Sequence, residues 1–211
     1  SRRQRQMCIR DRFCDEDSGS CLGKKGPGGG TVFYQAATPF TCGPTLNLTC
    51  KYLEYAPATW YSGSDYSGKW QYPTLSDIPA LDNVASKTFT ANELGVGYKY
   101  SLAIVSTLSS DTLTAAFKAR SYTGGGFSDW YLPAFSELNL MCQWARGVTL
   151  DVTTECTGGT TSPPGFITEK YWSSTEASAT GAWMLNISNL VEVAETKNSN
   201  AATYTRPIRA F

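Results

Sequence analysis

Two early stretches alternate between apolar and polar residues. Thr31-Val32-Phe33-Tyr34-Gln35 and Lys51-Tyr52-Leu53-Glu54-Tyr55 have the two-residue period of strands with one buried face, and Pro57 ends the second. Downstream the period lengthens. Tyr98, Leu102, Val105 and Leu108 share one face at helical spacing, which predicts a helix within Thr90 to Leu108. A shorter helical piece is predicted over Asp111 to Arg120, with Asp111 as its cap. The clearest helix carries Phe135, Leu138, Cys142 and Ala145 on one face. Leu132-Pro133 favours extended backbone before it, and Gly147 stands where a left-handed residue closes a helix. Glu137 falls in its first turn, where the helix dipole favours a negative charge. Strands are predicted over Lys170 to Ser174, Ala182 to Ser188, Leu190 to Glu195 and Tyr204 to Phe211. Pro207 marks the last as an edge or a bulge. Trp172 and Trp183 are assigned to the core. The fold class expected is α+β.

The segments between these elements differ in character. Gly26-Pro27-Gly28-Gly29-Gly30 precedes a strand and lacks a following Lys-Ser/Thr, so it is read as a flexible lead-in and not as a phosphate loop. From Trp60 to Tyr72, five aromatic rings (Trp60, Tyr61, Tyr66, Trp70 and Tyr72) lie among Ser and Gly. Such rings can stack on the apolar faces of sugars or cover a core. Trp60, Tyr61 and Trp70 are taken as candidate ligand contacts. The Thr-, Gly- and Pro-rich stretch from Thr157 to Phe166 has no hydrophobic period and reads as a surface loop, with Thr160 and Thr161 as candidate contacts. Ser173, Glu176, Asn186 and Asn189 are further candidates, chosen by side-chain type and loop position.

Three motifs occur in order: Trp130-x-Leu132-Pro133-x-x-x-Glu137-Leu138, Tyr171-Trp172-Ser173-Ser174-Thr175-Glu176, and Tyr204-x-Arg206-Pro207-Ile208-Arg209. Together they resemble a family of secreted bacterial domains that includes the C-terminal domain of the collagen-like adhesin Lcl. The resemblance spans roughly Gly26 to Phe211. It implies a C-type-lectin-like fold: twisted antiparallel sheets, two main helices, long loops, and a last strand paired with the Val32 strand. It also implies a secreted or cell-surface protein, with a homo-oligomer formed through a preceding stalk. Ala134 departs from the pattern, because the family has a Ser or Thr there that can cap the helix. Losing a cap costs about 1 kcal/mol, so this helix start is expected to be held by packing.

Composition narrows the chemistry. The chain has 211 residues, is only 17% charged, and contains no His. Its seven cysteines are Cys8, Cys14, Cys21, Cys42, Cys50, Cys142 and Cys156, with no Cys-x-x-Cys. Zinc and redox sites are poorly supported, and disulfides in an oxidising compartment are favoured. With Cys8 set aside, six cysteines allow 15 connectivities. Local pairing (Cys14–Cys21, Cys42–Cys50, Cys142–Cys156) is the arrangement adopted. Closing the two later loops should stabilise by about 3 kcal/mol each. Residues 1–12 resemble adapter-derived translated ends that recur in metagenomic sequence sets, and 13–30 form a linker to a domain at 31–211. Read instead as native, residues 1–12 are a basic tail suited to an anionic partner. Without them 13 basic residues face 17 acidic ones, a net charge of −4 that gives no general pull on nucleic acid. No apolar run approaches the roughly 20 residues of a membrane span.

These features favour a non-enzymatic contact domain whose partner is a glycan or a cell-surface protein, with no cofactor and no metal. Asp15-Glu16-Asp17 lacks the spaced ligands and glycine of a calcium loop. The lectin motifs Glu-Pro-Asn, Gln-Pro-Asp and Trp-Asn-Asp are absent. Two other classes stay open. One is a variable ligand-binding protein of the diversity-generating-retroelement kind, with its mutable face in Ser173 to Thr205. The other is a small glycosidase using a carboxylate pair from Asp129, Glu137, Glu169 and Glu176.

Overall fold

The computed structural model describes residues 20–86, 88–199 and 201–211. The segment 1–12, the Asp15-Glu16-Asp17 turn and the Cys14 end of the first pairing lie outside the described residues. The strands are β1 (Thr31–Cys42), β2 (Leu48–Tyr55), β3 (Tyr66–Ser67), β4 (Lys170–Ser178), β5 (Gly181–Asn186), β6 (Glu192–Thr196), β7 (Thr203–Thr205) and β8 (Ile208–Ala210). The helices are α1 (Val96–Thr107), α2 (Ala115–Ser121) and α3 (Phe135–Arg146). They assemble as an α+β fold with two sheets, ordered β1-β2-β8 and β3-β7-β4-β5-β6. All strand pairs are antiparallel except β4 with β7.

The pleat of β4 and β5 explains why both strands are buried on two faces. Tyr171, Trp183 and Leu185 point into a core with Phe33, Leu53, Phe135, Leu138 and Met141, which joins both sheets to α3. Their neighbours Trp172, Ala182 and Met184 point the other way, against Ile104 of α1, Ala115 and Ala119 of α2, and Trp70. Successive residues of a strand face opposite sides, so each of these strands lies between two apolar layers.

Two disulfides join the expected neighbours, Cys42 to Cys50 across the β1–β2 turn and Cys142 to Cys156 from α3 to the loop behind it. Cys21 is also disulfide-bonded. Among the described residues no helix is long and apolar enough to cross a membrane.

Several expectations need correction. The buried face of α1 is Gly97, Ser101 and Ile104, one position away from the predicted Tyr98, Leu102, Val105 and Leu108, which are only half-buried. Small residues face inward because the helix comes very close to the chain at Tyr131–Ala134. A Cβ at Gly97 would lie 2.6 Å from the Ala134 nitrogen and 2.8 Å from Tyr131. The Ser101 hydroxyl lies within hydrogen-bond reach of both the Leu132 amide and carbonyl, at 3.0 and 3.2 Å. α2 begins later than predicted and is capped by Thr114, whose hydroxyl accepts the Phe117 amide. Asp111 instead accepts the Leu113 amide in the preceding turn.

The predicted last strand is two strands in different sheets, β7 and β8, separated by Arg206-Pro207. β8 pairs with β2 and not with the Val32 strand. β2 occupies the middle of that sheet, so Pro207 precedes an edge strand, a position that tolerates proline. The glycine-rich lead-in is not loose. The Gly26 amide donates to the Gly30 carbonyl at 2.9 Å, and Lys25 bridges Thr31.

Gly97→Ala tests the close approach of α1. Overpacking against backbone should lower stability by about 3 kcal/mol, read as a shifted urea midpoint. An unchanged midpoint would mean that α1 is free to move away.

Candidate functional site

Much of the chain between strands is irregular, and its peptide groups are satisfied from inside by charged side chains. Three glutamates do this, each fully buried. Glu54 accepts the amides of Gly28 and Gly30 at 2.9 and 3.2 Å, and Arg209 donates to it at 3.1 Å. A Cβ at Gly28 would run into the Trp130 ring and come within 2.7 Å of that carboxylate, which is why glycine stands there. Glu176 accepts the Ile78 amide and pairs with Lys197, whose ammonium also donates to the carbonyls of Ser76 and Ala179. Burial raises the pKa of both carboxyls, against the pull of their cations and amide donors.

Glu137 has no cation. It accepts the Gly95 amide at 2.8 Å, the Ala134 amide at 2.8 Å and the Tyr131 hydroxyl at 2.9 Å. Burial pushes its pKa up to about 7, although these three donors oppose the shift. The helix start at Ala134 is therefore not held by packing alone. Glu137 reaches back to the Ala134 amide, Thr175 accepts the Phe135 amide at 2.9 Å, and Glu93 accepts the Ser136 amide at 3.3 Å. Caps drawn from distant residues replace the missing local one.

The same construction reaches the surface at Asp65. Arg206 donates to both of its carboxylate oxygens, at 2.5 and 2.6 Å, and the Tyr171 hydroxyl donates at 2.6 Å. Burial and the neighbouring Asp65 charge push that phenol well above its ordinary range. The remaining partner is the Trp60 indole, which donates to Asp65 at 2.9 Å. The half-buried Trp60 ring packs at 5.6 Å from both Tyr61 and Tyr122, and Tyr61 packs at 4.9 Å from Tyr66. The Tyr66 hydroxyl donates to the Leu113 carbonyl at 2.5 Å. The Lys118 ammonium sits 5.5 and 5.6 Å from the Tyr61 and Tyr66 rings. The result is an aromatic face with a cation beside it, fixed at Asp65 by a buried arginine.

The other predicted contacts divide by exposure. Trp70, Ser173 and Glu176 are interior, which corrects their placement as ligand contacts. The Trp70 indole donates to the Ser173 carbonyl at 2.8 Å under the Lys197 ammonium, and the Ser173 hydroxyl donates to the Trp183 carbonyl at 2.8 Å. Asn186 is also buried, and its side-chain oxygen organises the turn after β5 by accepting from the Ser188 and Asn189 amides. Asn189, Thr160 and Thr161 are exposed. The loop carrying the two threonines is tied down by Arg146, which donates to the carbonyls of Gly158 and Ile187 at 2.5 and 2.6 Å.

Of the four carboxylates considered for a glycosidase, Glu137 and Glu176 are in the interior. Asp129 pairs with Arg209 at 2.5 Å, and Glu169 is exposed. Among the described residues, no group of three or more His, Cys, Asp or Glu side chains could hold a metal ion. Sequence reasoning missed Tyr122 and Lys118, which reach the aromatic face from α2 and its end. Tyr122 lies among Ser, Thr and Gly, the same composition that drew attention to Trp60 and Tyr61. No protein-family model matches the chain, and no curated protein matches it.

Two measurements test the interior charges. Glu137 binds its proton more tightly folded than unfolded, so its contribution is most favourable below its ordinary pKa and falls as pH rises toward 7. In urea unfolding, wild type should lose about 3 kcal/mol relative to Glu137→Gln between pH 4.5 and 7. Parallel pH profiles would contradict this. Lys197→Met strands the buried Glu176 and should cost about 3–5 kcal/mol. Adding Glu176→Gln should recover part of that loss.

Proposed function

We propose that this chain is an extracellular, non-enzymatic recognition or adhesion domain on a C-type-lectin-like scaffold, which contacts a glycan or another cell-surface ligand. The observation that carries the reading is the Trp60 ring, half-open to solvent yet fixed by the Asp65–Arg206 pair. Rings held in place before binding lose little freedom on contact. Tyr61, Tyr66 and Tyr122 are likewise half-exposed, and Ser62, Gly63 and Ser64 beside them are exposed. Trp60 and Tyr61 form the first contact surface, with Tyr66, Tyr122 and Lys118 beside them. Thr160, Thr161 and Asn189 supply polar groups on exposed loops. The two disulfides support an oxidising compartment, as expected for a secreted or surface protein.

The glycosidase reading has less support, since Glu137 and Glu176 are committed to backbone and lysine partners in the interior. A variable face within Ser173 to Thr205 is also less favoured, because Ser173, Ser174, Thr175, Thr203 and Thr205 are buried.

A glycan array probed with the purified chain, with and without chelator, should show binding that the chelator leaves unchanged. Trp60→Ala combined with Tyr61→Ala should weaken that binding by about tenfold or more. No binding to any glycan or to intact cells would reject the reading.

A further inference from the structure

We propose that a hollow whose lining includes neither Trp60 nor Tyr61 is a subsite for one neutral pyranose ring at the end of a glycan; this rests on the recognition reading above. The hollow has a volume of about 230 Å³ and is lined by Tyr72, Thr74, Ser76, Thr107, Ser110 and Asp111, among others. Pockets for drug-sized ligands run from about 300 to 1,000 Å³, so this one takes a single ring.

Three features favour a sugar over other small ligands. First, Tyr72 is 51% exposed at the rim. The Lys69 ammonium lies 4.0 Å from its ring centroid and occupies one side of it, which leaves the other side to stack on the apolar face of a pyranose. Second, the polar side chains of the lining are hydroxyls, the Gln71 amide and one carboxylate, donors and acceptors that match vicinal diols. Asp111 uses one carboxylate oxygen on the Leu113 amide at 3.0 Å, and the second is left to accept ligand hydroxyls. Its charge disfavours an acidic sugar at the same place. Third, the walls are braced. The Gln71 side chain donates to the Ser76 hydroxyl at 3.0 Å and accepts the Ser76 amide at 3.4 Å, which closes the Tyr72–Thr74 loop. The buried Lys197 holds the Ser76 carbonyl at 2.8 Å. On the opposite wall, the Asp111 amide donates to the Leu108 carbonyl at 2.8 Å.

Saturation-transfer NMR on the intact chain tests this with the methyl glycosides of glucose, galactose and mannose, and with methyl glucuronide. At least one neutral glycoside should receive saturation, and the glucuronide should receive less. Tyr72→Ala and Asp111→Ala should each weaken the neutral contact about tenfold. Tyr72 is largely exposed, so its variant should keep the wild-type circular dichroism and melting temperature. Trp60→Ala should leave this contact within about twofold of wild type. If no neutral glycoside binds, or if binding survives Tyr72→Ala, the subsite is refuted. If array binding depends on Trp60 and Tyr61 but not on Tyr72, the subsite is refuted and the recognition reading stands.

Discussion

A peptide group taken out of water must find a partner, and long stretches of this chain run between strands with no ladder to supply one. Charged side chains in the interior meet that need. Glu54 takes amides from the glycine-rich lead-in, Glu137 takes one from the turn before α1, and Glu176 takes one from the loop at Ile78. Arg146, Lys197 and Arg206 do the converse, donating to carbonyls of loops at Gly158, Ser76 and Gly165. Removing a charge from water is costly, and an interior ion pair is weak evidence of net stability. What these groups supply is definition. Each one selects a single path for the loop it holds, because any other path leaves a buried polar group short of partners.

The surface inherits that definition. Arg206 and Tyr171 are core residues, and through Asp65 they set the position of the Trp60 ring outside. Lys197 braces the Ser76 carbonyl beneath the hollow next to Tyr72. The stiffness of the aromatic face is thus a property of the interior. The disulfides act alongside, closing the β1–β2 turn and the loop after α3. A fold built in this way can present irregular loops without the ordering cost that mobile loops would bring to binding.

Strands β1, β2, β4, β5 and β6, the two local disulfides and the α3 helix with its Gly147 end were legible in the sequence because their signals are local: period, spacing and a stop residue. The two-residue β3 and the division of the last strand into β7 and β8 were not, because each depends on which sheet the chain meets. The inward face of α1 was not. Apolar bulk pointed to Tyr98 and Leu102, whereas close approach to Tyr131–Ala134 requires Gly97 and Ser101. The cap of α3 was hidden for a similar reason, since Thr175 and Glu93 lie about 40 positions away. The glycine-rich lead-in looked mobile because glycine at a strand start has two meanings, freedom or close contact, and only Glu54 distinguishes them. At the candidate site, aromatic composition located Trp60 and Tyr61. It did not separate them from Trp70, which has the same kind of neighbours and lies in the core. Glu176 and Ser173 look like surface polar residues by type, and their burial depends on partners far along the chain.

The central claim is that the loops are held as firmly as the sheets. Native-state hydrogen exchange tests it most directly, at the amides of Gly28, Ile78 and Gly95, which donate to the three buried glutamates. The account predicts protection close to that of the β4 and β5 amides, with opening free energies near that of global unfolding. Exchange at these amides as rapid as in an exposed turn would contradict it.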